Sequence, residues 1–521
     1  PSIVYTNILK ELYPDVPVVL GGIEASLRRL THYDYWQDKL KPGILVESRA
    51  DLLIYGMGEQ PLRELVGRLK AGEAFGNMKD IRQTAYVIPT PQPPNGGATE
   101  EIYPPFRGLG GGLGRRLRGG GGDIHLFSHE ECLRDKLKQA QNFRHIEEES
   151  NKREASRILQ AVGGQVIVVN PPFPPMTEAE IDASFDLPYT RLPHPKYKGK
   201  EIPAFEMIKF SVNIHRGCFG GCAFCTISAH QGKAIASRSR ESILKEVKAI
   251  TAMPDFKGYL SDLGGPSANM YRMKGKDENL CRLCRKPSCI SPLVCKNLHA
   301  DHTPLLDIYR AAGRLPGVKK TFVGSGVRYD LLLHDYGDEA LNRAARAYTE
   351  ELIARHVSGR LKVAPEHTSP GVLKLMRKPP FEQFEQFHRL FERINKQEGL
   401  NQQLIPYFIS GHPGCTEADM AELAAITKGL HFRLEQVQDF TPTPMTLATE
   451  IYYTGYHPYT LEKVYTARTK DEKLAQRQYF FWYKPEFRQS IVRALQRLGR
   501  KDLITRLFGK MSFIIYLCHW I

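Results

Sequence analysis

Seven of the ten cysteines in this 521-residue chain fall between Cys218 and Cys295, in two tight groups. The first is Cys218, Cys222 and Cys225, spaced C-x3-C-x2-C within His215-Arg216-Gly217-Cys218-Phe219-Gly220-Gly221-Cys222-Ala223-Phe224-Cys225. Three thiolates on one loop can hold three irons of a cubane cluster and leave the fourth iron open. Gly217, Gly220 and Gly221 let the loop wrap closely, with backbone N–H groups free to turn toward sulfide. An all-sulfur site suits Fe–S, zinc or Cu(I); zinc needs a fourth ligand, for which His230 is the nearest candidate. The second group is Cys281, Cys284, Cys289 and Cys295, a C-x2-C-x4-C-x5-C array. Four thiolates within 15 residues suffice to close a tetrahedral site. A structural zinc knot and a second Fe–S cluster both satisfy that spacing. Clustered thiols in a reducing compartment read as metal ligands rather than disulfides. Cys132, Cys415 and Cys518 are scattered and read as small, partly buried residues.

The elements around these groups decide where they sit. From about residue 205 the chain alternates strand-like runs (207–215, 257–263, 319–325, 360–364, 403–410, 434–440) with helical patterns. Six such units imply an open, partial (β/α)6 barrel, in which chemistry gathers at the C-terminal ends of the strands. The first cysteine group follows the first of these strands, and the second is inserted after the second. Upstream, runs at 16–20 and 51–55 each end in a glycine turn, Gly21-Gly22 and Gly56-Met57-Gly58-Glu59, and lead into helices. Strand, glycine turn, helix predicts a parallel sheet with crossovers. A charged helix with some interruption is expected over 130–161, and a strand over 165–169. The expected domains are therefore 1–195, Rossmann-like, with a glycine-rich insertion at 107–122; 196–458, the barrel, with a cysteine-rich insertion at about 266–300; and 459–521, a basic helical extension.

The loop of Cys218, Cys222 and Cys225 resembles the radical S-adenosylmethionine superfamily, whose signature is CxxxCxΦC with an aromatic Φ; Phe224 stands there. Gly264-Gly265 is similar to the superfamily's glycine motif, although Pro266 follows where Glu is usual. The runs VVLGGIEASLRR, IPYFISGHPG and VQDFTPTPMTLAT resemble the YgiQ-type subfamily of uncharacterised radical enzymes. The resemblance implies a [4Fe-4S] cluster on the three cysteines and S-adenosylmethionine on the open iron. It further implies one-electron cleavage of the S–C5′ bond and a 5′-deoxyadenosyl radical that abstracts hydrogen from a substrate. Gly264 and Gly265 would meet the methionine amino group. Arg328 is a candidate carboxylate clamp, since guanidinium pairs bidentately. Glu366 and His367, ending the fourth strand, are candidates for the ribose or substrate. A low-potential donor such as flavodoxin or ferredoxin would supply the electron.

Rival functions differ in what they need. A tRNA methylthiotransferase carries three further cluster cysteines upstream, and only Cys132 precedes Cys218 here. The N-terminal alternation resembles cobalamin-binding folds, but the D-x-H-x-x-G ligand pattern is absent; Asp123-Ile124-His125 lacks its glycine. A different class is a zinc-stabilised nucleic-acid-binding protein that would use both cysteine groups structurally. Apolar residues at 42% and charged residues at 25% exclude a mainly disordered or fibrous chain. No apolar run approaches the about 18 residues that span a bilayer. No signal peptide opens the sequence, so a cytoplasmic location is expected, and a start at Pro1 suggests a missing N-terminus.

The net charge of +15 is concentrated near the C-terminus, where residues 463–510 hold 13 basic and four acidic residues. Tyr479, Phe480, Phe481, Trp482 and Tyr483 run consecutively there, and five neighbouring aromatics cannot all face one groove. Most should pack onto the barrel, leaving the charge spread over solvent. RNA binding should then be weak and salt-sensitive, with few phosphate contacts, each adding about 0.7–0.9 to the log–log salt slope. Submicromolar binding at physiological salt, lost when Arg488 and Arg493 become Glu, would contradict this.

Overall fold

The computed structural model describes residues 1–90 and 122–509. The glycine-rich insertion expected at 107–122, apart from Gly122, lies outside the described residues, as does Cys518. The N-terminal sheet contains β1 (Val19–Leu20), β2 (Leu52–Ile54), β3 (Thr84–Pro89), β4 (Ile124–His125), β5 (Ile158–Val162) and β6 (Gln165–Val169), in the order β1-β2-β3-β6-β5-β4. Its faces are both covered. Leu53, Ala85, Ile167 and Val169 pack with Leu27, Leu30 and Ile44, while Leu52, Ile54, Tyr86, Val166 and Val168 pack with Leu65 and Met78.

This sheet is mixed, which corrects the parallel, Rossmann-like and cobalamin-binding-like sheet expected here. Only β1·β2 and β4·β5 are parallel; β2·β3, β3·β6 and β5·β6 are antiparallel. Gly163 and Gly164 both take positive φ, 52° and 78°. They turn the chain within two residues, and a hairpin so closed must be antiparallel. The charged helix expected to 161 also stops early. It divides into His129–Arg134 and Lys136–Asn151, after which β5 buries Ile158, Gln160 and Val162 in alternation, the period of a strand.

Each of the six runs expected after residue 205 holds a strand: β7 (Ser211–Asn213), β8 (Asp262–Gly264, led in by Tyr259–Leu260), β9 (Lys320–Thr321), β10 (Arg360–Glu366), β11 (Gln403–Ser410) and β12 (Gln436–Asp439). The first is shorter than expected, because Met207 and Ile208 end the helix Pro203–Ile208. β7 pairs with β8, Tyr259–Leu260 with β9, and β10 with β11 and β12, all parallel. These form three separate ladders rather than a closed cylinder. The two-residue β9 breaks into Gly324-Ser325-Gly326, and Val323 N–H reaches His356 O at 2.9 Å beyond it. Amphipathic helices cover the strands. In Phe381–Gln397, Phe381, Phe384, Phe387, Phe391 and Ile394 are buried, three or four residues apart on one face.

The basic C-terminal segment folds onto this barrel as helices Lys470–Arg477, Pro485–Arg497 and Lys501–Phe508. Tyr479 and Phe480 are fully buried and share the barrel's core with Ile491, Leu495 and Leu503; Phe481 and Trp482 pack against it. Among the described residues, no helix is long and apolar enough to cross a membrane.

The N-terminal domain meets the barrel along helix Lys136–Asn151. Glu147 accepts from both Arg377 nitrogens, at 2.7 and 2.8 Å, and from Tyr459 Oη at 2.6 Å. Gln139 Nε2 donates to the buried Glu450 Oε2 at 3.0 Å. Burial pushes the Glu450 carboxyl up to about 7, against the opposing help of Gln139. An unfolded Glu titrates near about 4.3. The folded state therefore retains a proton that the unfolded state has lost, so stability falls as pH rises from about 4.3 to about 7 and then levels off. Glu450→Gln should raise stability at pH 8 by roughly 1–3 kcal/mol and change little near pH 4. Denaturant unfolding of both proteins at the two pH values checks this; an equal gap at both contradicts it.

Candidate active site at the cysteine loop

β7 delivers the first cysteine group. Val212 and Ile214 anchor it in the core, and His215–Arg216 then pairs antiparallel with Ala236–Ser237, closing the intervening segment at its base. Gly217 has φ 88°, and a Cβ there would lie 2.0 Å from Ala234 O; one on Gly221 (φ 60°) would lie 2.3 Å from Pro287 O. Only glycine permits both the left-handed turn and the close approach. The loop is tied at its middle as well, where Ala223 N–H donates to Met376 O at 3.0 Å and Ala223 O accepts from Ala448 N–H at 2.8 Å. Phe224 turns its ring edge-on to the buried His412, 6.0 Å between centroids.

The thiols lie in a largely buried, electrostatically coupled group. Burial, then the neighbouring Cys222, raises Cys218 above its ordinary value and pushes Cys225 up to about 12. Gly220 N–H points at Cys218 Sγ, 3.4 Å away. Arg328 Nη1 lies 3.5 Å from Cys222 Sγ. The rest of that guanidinium is taken: Nε and Nη2 donate to Asp330 at 2.9 and 2.5 Å. Arg328 therefore presents one edge to the cysteine loop and its fork to Asp330, rather than an open fork to a cofactor carboxylate as its sequence position suggested.

The other expected residues gather around the strand ends. A Cβ on Gly265 would fall 2.4 Å from the His215 ring, and one on Gly264 would fall 2.7 Å from both Asp262 Oδ1 and Ser325 Oγ. These glycines thus admit a buried imidazole and a carboxylate–hydroxyl pair. Neither ring nitrogen of His215 has a hydrogen-bond partner among the described residues. Asp262 receives Ser325 Oγ at 2.5 Å and Gly324 N–H at 2.9 Å. Glu366 is buried and holds φ 69°, an uncommon conformation for a residue with a side chain. Its Oε1 lies 3.6 Å from Lys378 Nζ, and burial raises its carboxyl. His367 turns away, with Nδ1 accepting from Ser369 N–H at 3.0 Å and Nε2 3.4 Å from Cys415 Sγ. Asp330, Lys378, Asp262 and His215 were not legible as site residues: Asp262 meets Ser325 and His215 meets Gly265 across distant segments, while Asp330 and Lys378 gain their roles only once Arg328 and Glu366 are buried beside them.

The second cysteine group sits directly on the first. A short antiparallel pair, Lys274–Gly275 with Leu298–His299, closes the insertion. Cys289 N–H donates to Phe219 O at 3.0 Å, and Cys295 N–H to Cys289 O at 2.8 Å. Asn297 Nδ2 lies 3.4 Å from Cys281 Sγ and Lys233 Nζ 3.6 Å from Cys284 Sγ. Burial raises Cys289 to about 11, with Cys295, Cys284 and Cys281 adding repulsion. Among the described residues, no three His, Cys, Asp or Glu side chains are gathered as a single-ion site. His230, the candidate fourth zinc ligand, instead places Nδ1 3.1 Å from Ser26 Oγ of the N-terminal domain.

A radical SAM N-terminal family model matches residues 1–211, and a domain of unknown function, DUF3362, matches residues 435–515. Three relatives are each called a UPF0313 protein. That of Porphyromonas gingivalis is 66% identical, over 98% of this chain and 77% of the relative. That of Bacteroides thetaiotaomicron is 65% identical, over 98% and 80%. That of Methanocella arvoryzae is 42% identical, over 96% and 78%. The solved radical S-adenosylmethionine methyltransferase TsrM from Kitasatospora setae aligns with 87% of this chain and 60% of its own, at 13% identity and a TM-score of 0.43, a likeness too slight to carry an argument. The class is that of radical S-adenosylmethionine enzymes. Within it, the chain belongs to the UPF0313 family.

The close approaches at the glycines make a paired test. Gly265→Ala should destabilise the protein by about 1–3 kcal/mol, because the new methyl must displace the buried His215 ring. Gly326→Ala, with nothing within 4 Å of its Cβ position, should stay within about 0.5 kcal/mol of the parent. Denaturant midpoints measure both, and equal losses would contradict the packing argument.

Proposed function

We propose that this chain cleaves S-adenosylmethionine reductively at a [4Fe-4S] cluster held by Cys218, Cys222 and Cys225, and acts on a substrate not yet identified. The observation that carries the reading is the cysteine loop itself: three soft donors at C-x3-C-x2-C spacing at the exit of the first barrel strand. The donor set fits such a cluster, since three thiolates leave one iron for the cofactor. When bound, the cluster and S-adenosylmethionine supply a 5′-deoxyadenosyl radical able to abstract hydrogen. The protein's part is to hold charge and geometry. Arg328, fixed by Asp330, places a cation edge 3.5 Å from Cys222 Sγ and opposes the upward shift that burial imposes on Cys218. Gly264 and Gly265, whose missing side chains admit the Asp262–Ser325 pair and the His215 ring, would offer their backbone to the methionine amino group. Glu366, with Lys378 as its counter-charge, is assigned to the cofactor or substrate side. The edge-to-face Phe224–His412–Phe440 cluster, with centroids 6.0 and 5.3 Å apart, would keep water from the reactive centre.

Cys281, Cys284, Cys289 and Cys295 are assigned to a separate metal site, an auxiliary Fe–S cluster or zinc. The hydrogen bond from Cys289 to the Phe219 carbonyl supports electron transfer between the groups if the metal is iron. A flavodoxin- or ferredoxin-type donor would supply the electron. The YgiQ-type assignment within the superfamily rests on the sequence runs given above.

Anaerobic reconstitution with iron and sulfide, followed by a low-potential reductant and S-adenosylmethionine, should yield 5′-deoxyadenosine. Cys222→Ala should abolish that product. Cys284→Ala should lower metal content while retaining at least part of the cleavage. Loss of the first cluster in Cys284→Ala would overturn the two-site assignment, and a colourless wild-type protein carrying only zinc would overturn the enzyme reading.

A further inference from the structure

A wide cavity lies beside the cysteine loop, where Arg216 and Phe219 form part of its wall. It measures about 1360 Å³ and is walled by the N-terminal domain, the segment 228–237 and the second cysteine insertion. Drug-sized ligand sites run about 300–1,000 Å³, so the space accommodates a sizeable organic molecule. Several arginines on its wall are already neutralised: Arg153 by Glu278, Arg282 by Glu154, Arg216 by Glu59 and Arg272 by Glu178.

Arg29 is different. It is only 4% exposed and has no carboxylate partner among the described residues. Nη1 donates to Ser26 O at 2.5 Å, Nη2 reaches Ser150 Oγ at 3.4 Å, and the guanidinium stands 4.7 Å from the Tyr55 ring centroid. Nε has no acceptor among the described residues. A guanidinium carries five N–H donors, and a buried charge left uncompensated is costly. Burial alone is enough to lower its proton affinity. Its contacts with Ser26, Ser150 and Tyr55 leave the charge without a counter-anion among the described residues, so the open hydrogen-bonding capacity suits an anion from the cavity side. A neutral hydrophobe would serve a purely structural role better.

The position of Arg29 ties this cavity to the cysteine loop. Arg29, Ser150, Asn151, Ser228 and Ala229 line the large cavity and also a pocket of about 40 Å³ that touches Cys222 and Cys225. We propose that Arg29 anchors the carboxylate or phosphate of an organic anion in this cavity, and that this anion is the substrate. The assignment as substrate rests on the radical reading above; the anion site itself does not. Ser26 is the positioning residue, since its hydroxyl donates to Gly22 O at 2.8 Å, receives Gly56 N–H at 2.8 Å and contacts His230, fixing the carbonyl that orients Arg29.

Equilibrium dialysis of the reconstituted holoenzyme with labelled inorganic phosphate and, separately, labelled succinate tests the site. One anion should bind per chain, and the preferred probe identifies the headgroup as phosphate or carboxylate. Arg29→Met should weaken that binding about 10- to 100-fold, the range for lost charged hydrogen bonds, and Arg29→Lys should weaken it less. Hydrogen exchange on the wild type needs no variant to fold: the anion should protect residues 24–31 and 149–153 and leave the helices at 470–508 unchanged. Binding of neither probe at millimolar concentration, equal affinity in Arg29→Met, or protection confined elsewhere would overturn the proposal. Formation of 5′-deoxyadenosine by the wild type is scored separately, so failure of the radical reading is distinguished from failure of the anion site.

Discussion

The buried Arg328–Asp330 pair is the constraint on which the site depends. Arg328 follows the short strand Lys320–Thr321, yet its guanidinium reaches under a loop more than a hundred residues earlier and ends against Cys222 Sγ and Gly220. Taking that cation out of water is opposed by burial, and Asp330 overrides the penalty, holding the arginine charged. Removing one member of such a pair typically costs about 3–5 kcal/mol, because the other charge is left stranded. The same geometry biases the thiols beside it. Burial drives Cys218 and Cys225 toward the protonated form, and the nearby guanidinium offsets part of that at Cys218.

A second layer of contacts holds the loop between domains. Ala223 is bonded on one side to Met376 and on the other to Ala448, while Glu147 of the N-terminal domain clasps Arg377 and Tyr459. Met376 and Arg377 are neighbours, so the residue that tethers the cysteine loop adjoins the one that docks the N-terminal domain. Movement of that domain would be felt at the loop through a single helix end. The second cysteine insertion adds a third support through Phe219 and Pro287. The cysteine loop is thus held by the barrel, the N-terminal domain and the insertion together.

The sequence alone determined what is local. The C-x3-C-x2-C spacing, the strand preceding it, the alternation after residue 205 and the helix Phe381–Gln397 are all written in near-neighbour residue types, where period and turn chemistry act over a few residues. The aromatic run at 479–483 likewise had to pack, because five adjacent rings cannot share one exposed groove. What only the tertiary structure decided is non-local. Strand direction in the N-terminal sheet depended on how Gly163 and Gly164 turned the chain, and glycine pairs serve hairpins and crossovers alike. The fork of Arg328 was claimed by Asp330 two residues on, a choice that burial made and spacing does not reveal. In the sequence Arg29 is one of two adjacent arginines after the Gly21-Gly22 turn, with nothing to set it apart. It stands out only once folding has buried it without a carboxylate, because the energy of a charge depends on its surroundings rather than on its place in the chain.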